Sequence, residues 1–403
     1  MRHAAILAAT TALAAGAAQA QETDTFEYGE RNTDLMPAFE EQTRAPLEDS
    51  GIELQTEVVV GGLEHPWGVA TLPGDEGHLV TERAGRLRHV SADGELSEPI
   101  SGVPEVLAEE QGGLLDVALG PDFESDRMVY LTYAKPMGDG MSATAAARGT
   151  LSEDLSALEG VEDIWVQEPP SPTPMHYGSR IAFDGEGHVF ITTGEHFTDE
   201  EREYAQDLDK TYGKVVRLNL DGSIPEDNPF VGQEGAIESI WSYGHRNVQA
   251  VAIDEGGTLW TIEHGPQGGD ELNRPEPGLN YGWPVINYGE GYDSEPIGSG
   301  QAQMEGMEQP VYFWDPVIAP GGMDIHSGET FSEWNGDVLI GSLYPGGVVR
   351  IALGEEGRVT AEERLLRDAG RVRKVEVLED GSFLYITDTE DGELVHVTPS
   401  EES

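Results

Sequence analysis

The residues best suited to chemistry cluster in a few short segments. Met175-His176-Tyr177-Gly178-Ser179-Arg180 carries a histidine, and an imidazole with an ordinary pKa near ~6.5 suits a general base. Glu195 follows Gly194, one predicted hairpin later, where its carboxylate can accept the second ring N–H and set the tautomer. The competing reading of His176 is a surface residue in a Pro-rich loop. Gly244-His245-Arg246-Asn247 and Arg371-Val372-Arg373 concentrate arginines in a chain that has few. Strand alternation puts Arg371 and Arg373 on one side, where they repel unless an anion lies between them. Arginines so placed suit a carboxylate-bearing ligand. Pairing with the chain's own acids is the alternative.

Glu263-His264-Gly265-Pro266-Gln267-Gly268-Gly269-Asp270-Glu271-Leu272-Asn273 mixes a tight Gly/Pro loop with carboxylates. Outward carbonyls and acids together suit a hard cation such as calcium, although the spacing is not that of an EF-hand. In so acidic a chain, a solvated loop is the plainer reading. Gln111-Gly112-Gly113-Leu114-Leu115 permits close backbone approach to a ligand, or simply a tight turn. No helix or Lys-Ser/Thr follows it, so it is not a phosphate loop. Neither a Gly-x-Ser-x-Gly elbow nor a His-Glu-x-x-His pair occurs.

The elements that must position these residues recur along the chain. A short apolar strand, a turn rich in Asp, Gly or Pro and a second apolar strand appear in six copies, starting near residues 67, 115, 180, 249, 322 and 372. Alternating apolar positions around Asp-Gly turns are hairpin signals. Hairpins repeating at such intervals predict an all-β fold, a six-bladed β-propeller over residues 52–398. Leu54-Gln55-Thr56-Glu57-Val58-Val59-Val60 is placed to pair with the last blade and close the ring, which removes an open edge. The candidate residues then fall in loops just before or just after these hairpins, where a propeller gathers its channel mouth.

The 403 residues include 76 Asp+Glu against 23 Lys+Arg and no Cys. Disulfide scaffolds, thiol catalysis and Cys-ligated metal centres are thereby excluded. A net charge of −53 argues against nucleic acid or an anionic membrane as partner. We read it as adaptation to high salt, a halophilic surface whose self-repulsion salt screens. Residues 1–20 read as a signal peptide: Arg2 and His3, an apolar run to Ala18, then Ala18-Gln19-Ala20. Residues 21–51 read as an acidic flexible leader, and no stretch is long and apolar enough for a membrane span. A periplasmic or secreted protein is expected, as monomer or homodimer.

Several motifs in order carry a resemblance: His65-Pro66-Trp67-Gly68, Thr81-Glu82-Arg83-Ala84-Gly85-Arg86-Leu87, Gln111-Gly112-Gly113-Leu114-Leu115, and His176 with Ser179-Arg180. Tyr243-Gly244-His245-Arg246-Asn247, Glu263-His264-Gly265-Pro266 with Asp270-Glu271 and Asn273, and Asn280-Tyr281-Gly282-Trp283-Pro284 continue it. Together they resemble the soluble quinoprotein glucose/sorbosone dehydrogenase family, in its aldose sugar dehydrogenase branch, from about Gly61 to Val397. The resemblance implies pyrroloquinoline quinone (PQQ) and calcium as cofactors, a small-molecule sugar substrate and an electron acceptor of unknown identity. It also implies His176 as the base at the sugar C1 hydroxyl, Glu195 as its orienting carboxylate and Gln111 as a neighbouring polar contact. Arg246 and Asn247 would face the quinone oxygens, and Arg371 and Arg373 would hold the cofactor. The carbonyls of Gly265 and Pro266 would bind the bridging calcium, and Glu271 with the Tyr281 carbonyl a second, structural one.

Two departures stand out. Tyr344 occupies a position where some members carry a cofactor-contacting Lys, and the Gly321-Gly322 segment is small for the neighbourhood of a substrate. A non-catalytic secreted propeller that binds sugar or protein is the alternative from another class. A calcium-dependent lactonase is weaker, because the matched channel positions are His and Arg rather than a ring of carboxylates.

Overall fold

A computed structural model describes residues 26–400. Six antiparallel sheets form the blades of a β-propeller, and each expected hairpin supplies the first two strands of one blade. The innermost strands are Pro66–Thr71, Leu114–Leu119, Ile181–Phe183, Val248–Ile253, Pro320–Ile325 and Val372–Val377. Blades two to six have four strands; the first has three, Pro66–Thr71, His78–Glu82 and Arg86–Val90. In the sixth blade the outermost strand is Leu54–Leu63, paired with Gly392–Pro399 in a register running from Leu54 opposite Pro399 to Leu63 opposite Gly392. The ring is therefore closed by pairing of an early strand with a late one, as expected from the pattern of residues 54–60. Among the described residues no helix is long and apolar enough to cross a membrane.

Alternation decides where the core lies. In-facing residues of one sheet meet those of the next, so apolar clusters fill the spaces between blades. Leu79, Leu87, Val117 and Leu131 pack between blades one and two. Trp260, Leu272, Ile340 and Val349 do so between blades four and five. Leu339, Val375, Phe383 and Val395 join blades five and six. Burying a side chain of this kind stabilises by roughly 1.5–3 kcal/mol, which is what opposes the self-repulsion of the surface.

The segment read as a flexible leader is described from residue 26 onward. Residues 26–51 lie against blades four and five. Gln42 is buried, donates from Nε2 to the Pro310 carbonyl (2.8 Å) and accepts from Phe313 N through its own carbonyl (2.8 Å). Ala45 N donates to Tyr312 Oη (3.0 Å), and Asn32 N donates to Asp315 Oδ1 (2.8 Å). The sparse aliphatics of this segment hid the fact that its polar groups have partners on the blades. The expected signal peptide, residues 1–20, lies outside the described residues.

Candidate active site

His176 sits in the turn that leads into blade three, with a left-handed backbone (φ 49°) that aims its ring at the channel mouth. That turn is pressed against Gly194. A Cβ on Gly194 would lie 1.9 Å from the His176 carbonyl oxygen and 2.9 Å from Asn247 Oδ1. The close approach brings the next residue, Glu195, behind the imidazole: Nδ1 and Glu195 Oε1 are 3.2 Å apart, and both side chains are buried. Because a carboxylate can only accept, Nδ1 carries the proton and the Nε2 lone pair is left for the cavity.

Burial holds His176 below its ordinary pKa and Arg246 adds to that, while Glu195 pulls the other way. The ring is thus neutral near neutrality and competent to accept a proton. Burial works to raise the pKa of Glu195, but His176, Arg246 and the Phe197 N–H outweigh it and keep the carboxyl ionised. Gln111 Oε1 accepts from His176 N (2.9 Å), fixing the turn from the second blade.

A cavity of about 270 Å³ at the channel mouth is lined by these and other residues that the chain scatters widely. It brings together His176, Gln111, Arg246, Asn247, Arg371 and Arg373, all expected from the sequence. Arg246 donates from Nη1 to the His264 carbonyl (3.2 Å), stacks over Trp283 at 5.2 Å and keeps Nε 3.9 Å from Glu195 Oε1. Asn247 Oδ1 accepts from Gly178 N (3.0 Å), which ties blade four to the His176 turn. Glu195 and Pro266 border an adjoining groove of about 790 Å³.

The other expected residues belong to blade four: Gly265 and Pro266 follow its second strand, Glu271 lies in its third, and Tyr281 is in the long loop after that. Gly265 N donates to Asp270 Oδ1 (2.8 Å). Burial and the neighbouring Glu263 carboxylate push Glu271 well above its ordinary pKa. Glu263 in turn accepts from His245 Nδ1 (2.8 Å), and His245 stacks on Tyr281 at 4.8 Å. Among the described residues, no three His, Asp or Glu side chains are arranged to hold a metal, so a cation here would need carbonyl oxygens in addition to any carboxylate.

The residues present fit an anionic cofactor and a hard cation. Buried Arg246 Nε and Arg373 Nε have no hydrogen-bond partner, which leaves donors for carboxylates or quinone-type oxygens at the cavity. Buried Asn273 Oδ1, two residues from Glu271, likewise has none, an orphan oxygen beside paired acids. Tyr344 is 66% exposed and outside the cavity lining, where Leu343 stands instead. Gly321 and Gly322 are small for a packing reason. A Cβ on Gly321 would lie 2.3 Å from the Arg373 carbonyl, so blade five could not approach blade six.

Sequence reasoning missed several residues of the cavity, namely Asp388, Gln249 and Tyr292. Asp388 follows the second strand of the sixth copy, the same position that marked Glu195, so the signal was available. Tyr292 comes from the Arg274–Val311 loop, which carries no repeat signal.

A family model described as glucose / sorbosone dehydrogenase matches residues 63–396. The chain is 43% identical over 349 residues to aldose sugar dehydrogenase YliI of Escherichia coli K12, covering 86% of this chain and 93% of that relative. The crystal structure of the soluble aldose sugar dehydrogenase from Escherichia coli in its apo-form matches with a TM-score of 0.83 at 42% identity, over 86% of this chain and 100% of that one. The PQQ-bound form of an aldose sugar dehydrogenase from Streptomyces coelicolor matches with a TM-score of 0.68 at 29% identity, over 86% and 99% of the two chains.

Proposed function

The chain belongs to the glucose/sorbosone dehydrogenase family, in its aldose sugar dehydrogenase branch, and on that premise we propose that it oxidises aldose sugars at C1 to the lactone with PQQ and calcium. The observation that carries this reading is the buried His176–Glu195 pair at the wall of an arginine-lined cavity. When bound there, the quinone supplies an electrophilic carbon that accepts the C1 hydride.

The chain's own part is positioning and proton handling. His176 Nε2 takes the C1 hydroxyl proton, and the imidazolium formed is stabilised by Glu195 through Nδ1–H. Glu195 also prevents the ring from turning over, because its other oxygen is held by Phe197 N. Arg246, whose Nε has no partner, is placed to stabilise negative charge that develops on the cofactor, with Asn247 beside it. Arg371 and Arg373, which line the same cavity, would hold cofactor carboxylates. Gln111, also in the cavity lining, keeps the His176 turn in register. The Gly265 and Pro266 carbonyls would carry the bridging calcium, and Glu271 with the Tyr281 carbonyl the structural one.

The test is reconstitution of purified protein in high salt with Ca²⁺ and PQQ, followed by an aldose panel with a dye acceptor. Sugar-dependent dye reduction that requires both additions is expected. Quinone binding without reduction by any sugar would overturn the substrate class. A folded protein that binds no quinone would leave the non-catalytic propeller.

A further inference from the structure

Arg180 takes no part in the chemistry above, yet its guanidinium reaches every blade. It enters the channel just before the inner strand of blade three and is 2% exposed. Nη1 donates to the Trp67 carbonyl of blade one (3.3 Å) and to Asp116 Oδ1 of blade two (3.0 Å). Nε donates to the Gln249 carbonyl of blade four (2.8 Å), and Nη2 to the Arg373 carbonyl of blade six (3.1 Å). On blade five, a Cβ at Gly322 would lie 3.0 Å from Nη2. The guanidinium also lies over the Trp67 ring at 3.8 Å.

This group marks the boundary between two cavities. Trp67, Gly178, Gln249 and Arg373 line the cavity that holds His176. Asp116, Arg180, Gly322 and Lys374 line a second one of about 340 Å³, farther along the same inner strands. A buried ion pair is a poor stabiliser compared with apolar packing of the same volume, and its worth is in orientation. A planar fork that serves four blades through separate acceptors has a geometry no other side chain reproduces. Burial and the nearby Arg373 push its pKa down to about 10, against Asp116, so it stays charged at neutrality.

We propose that Arg180 is a positioning residue for cofactor binding: it forms the floor of the His176 cavity by seating the Trp67 ring and the Arg373 backbone, and it separates that cavity from the second one. The inference rests on the reading of this cavity as the quinone site. It makes Arg180 act through Trp67 and Arg373 rather than by touching the cofactor.

The test is equilibrium dialysis of full-length protein against PQQ with calcium, in high salt, with folding checked by circular dichroism. Arg180→Lys keeps the charge but loses the fork, and is expected to bind the quinone roughly 10- to 100-fold more weakly, the scale of a lost charge-assisted hydrogen bond. At quinone saturation its KM for sugar should be unchanged. Trp67→Leu should show a similar loss, and the double variant no more than the worse single one, since both act through one floor. A folded Arg180→Lys with unchanged quinone affinity overturns the proposal, even if its Tm falls. If that variant does not fold, Trp67→Leu with unchanged affinity overturns it instead. Wild-type protein that binds no quinone overturns the functional reading itself, a result distinct from equal binding by wild type and variant.

Discussion

Asp388 holds Arg371 and Arg373 with one oxygen: its Oδ2 accepts from Nη2 of both, at 3.0 and 2.5 Å, while Oδ1 faces His65 Nδ1 at 3.1 Å. The anion required between the two arginines is thus a protein side chain. The pair still has donors to offer, because Arg371 is exposed and Arg373 Nε has no partner. Asp388 prepays the repulsion so that the arginines stand ready before any ligand arrives.

Removing that carboxylate should show in stability first. Asp388→Ala leaves buried Arg373 beside a second cation, and breaking such a pair costs about 2–4 kcal/mol once the exposure of Arg371 is allowed for. Burial works to raise the Asp388 pKa, but Arg373, Arg371 and His65 prevail and hold the carboxyl below its usual range. Its stabilisation is therefore complete above the unfolded pKa near ~3.9 and is lost as pH falls below it. Thermal unfolding from pH 7 to 3 should show a flatter acid limb for Asp388→Asn than for wild type.

His176→Ala is expected to lower kcat by about 10²- to 10⁴-fold while quinone binding persists, as befits loss of a general base. Burial places the ordinary His176 pKa lower, so the acid limb of kcat/KM should lie below about pH 6.5. Glu195→Gln removes the group that opposes this shift, so its limb should move to still lower pH as the rate falls. Steady-state kinetics across pH 4.5–8 check both, and normal turnover in His176→Ala would refute the base assignment.

Gly194→Ala tests the close approach that joins the two residues. The new Cβ would meet the His176 carbonyl at 1.9 Å, and backbone must move to relieve it. A loss of roughly 1–3 kcal/mol is expected, the usual scale of overpacking. Activity should fall by more than the unfolded fraction explains, because the displaced atom belongs to the base. Urea unfolding and specific activity, measured on the same preparation, separate the two effects.

Calcium should stabilise the fold through the Glu271 region. Paired buried acids are costly without a cation, so Ca²⁺ is expected to raise Tm and a chelator to lower it. Glu271→Gln should remove most of that increment while leaving the fold intact. An equal Ca²⁺ increment in the variant would move the site elsewhere.

Salt is the last lever. With 76 acidic residues against 23 basic ones, raising NaCl from low concentration to ~1 M should raise Tm, since the Debye length shrinks from tens of ångströms to about 3 Å. Sucrose at matched osmolality separates screening from general exclusion effects. A Tm insensitive to NaCl would remove the case for a halophilic surface.

The repeated hairpins were legible because a strand's period of two and its Asp-Gly turns are local properties. They predicted the six blades, the innermost strands and the closing segment at Leu54. They also led to His176, Glu195, Arg246, Asn247, Arg371 and Arg373, since these stand at the ends of hairpins that any propeller turns toward its channel. The packed course of residues 26–51 was not legible. Its anchors, such as Gln42 on Pro310 and Ala45 on Tyr312, are polar contacts between segments more than 250 residues apart.

What the sequence determined by itself was the architecture and the residue types that stand at the channel mouth, because both follow from short-range pattern. Only the tertiary structure decided which charges face which. Asp388 could have paired with any arginine, and Arg180 could have been one more surface cation. Ring closure brings the inner strands of all six blades around one axis, and that convergence makes one residue a shared anion and the other the floor of a cavity.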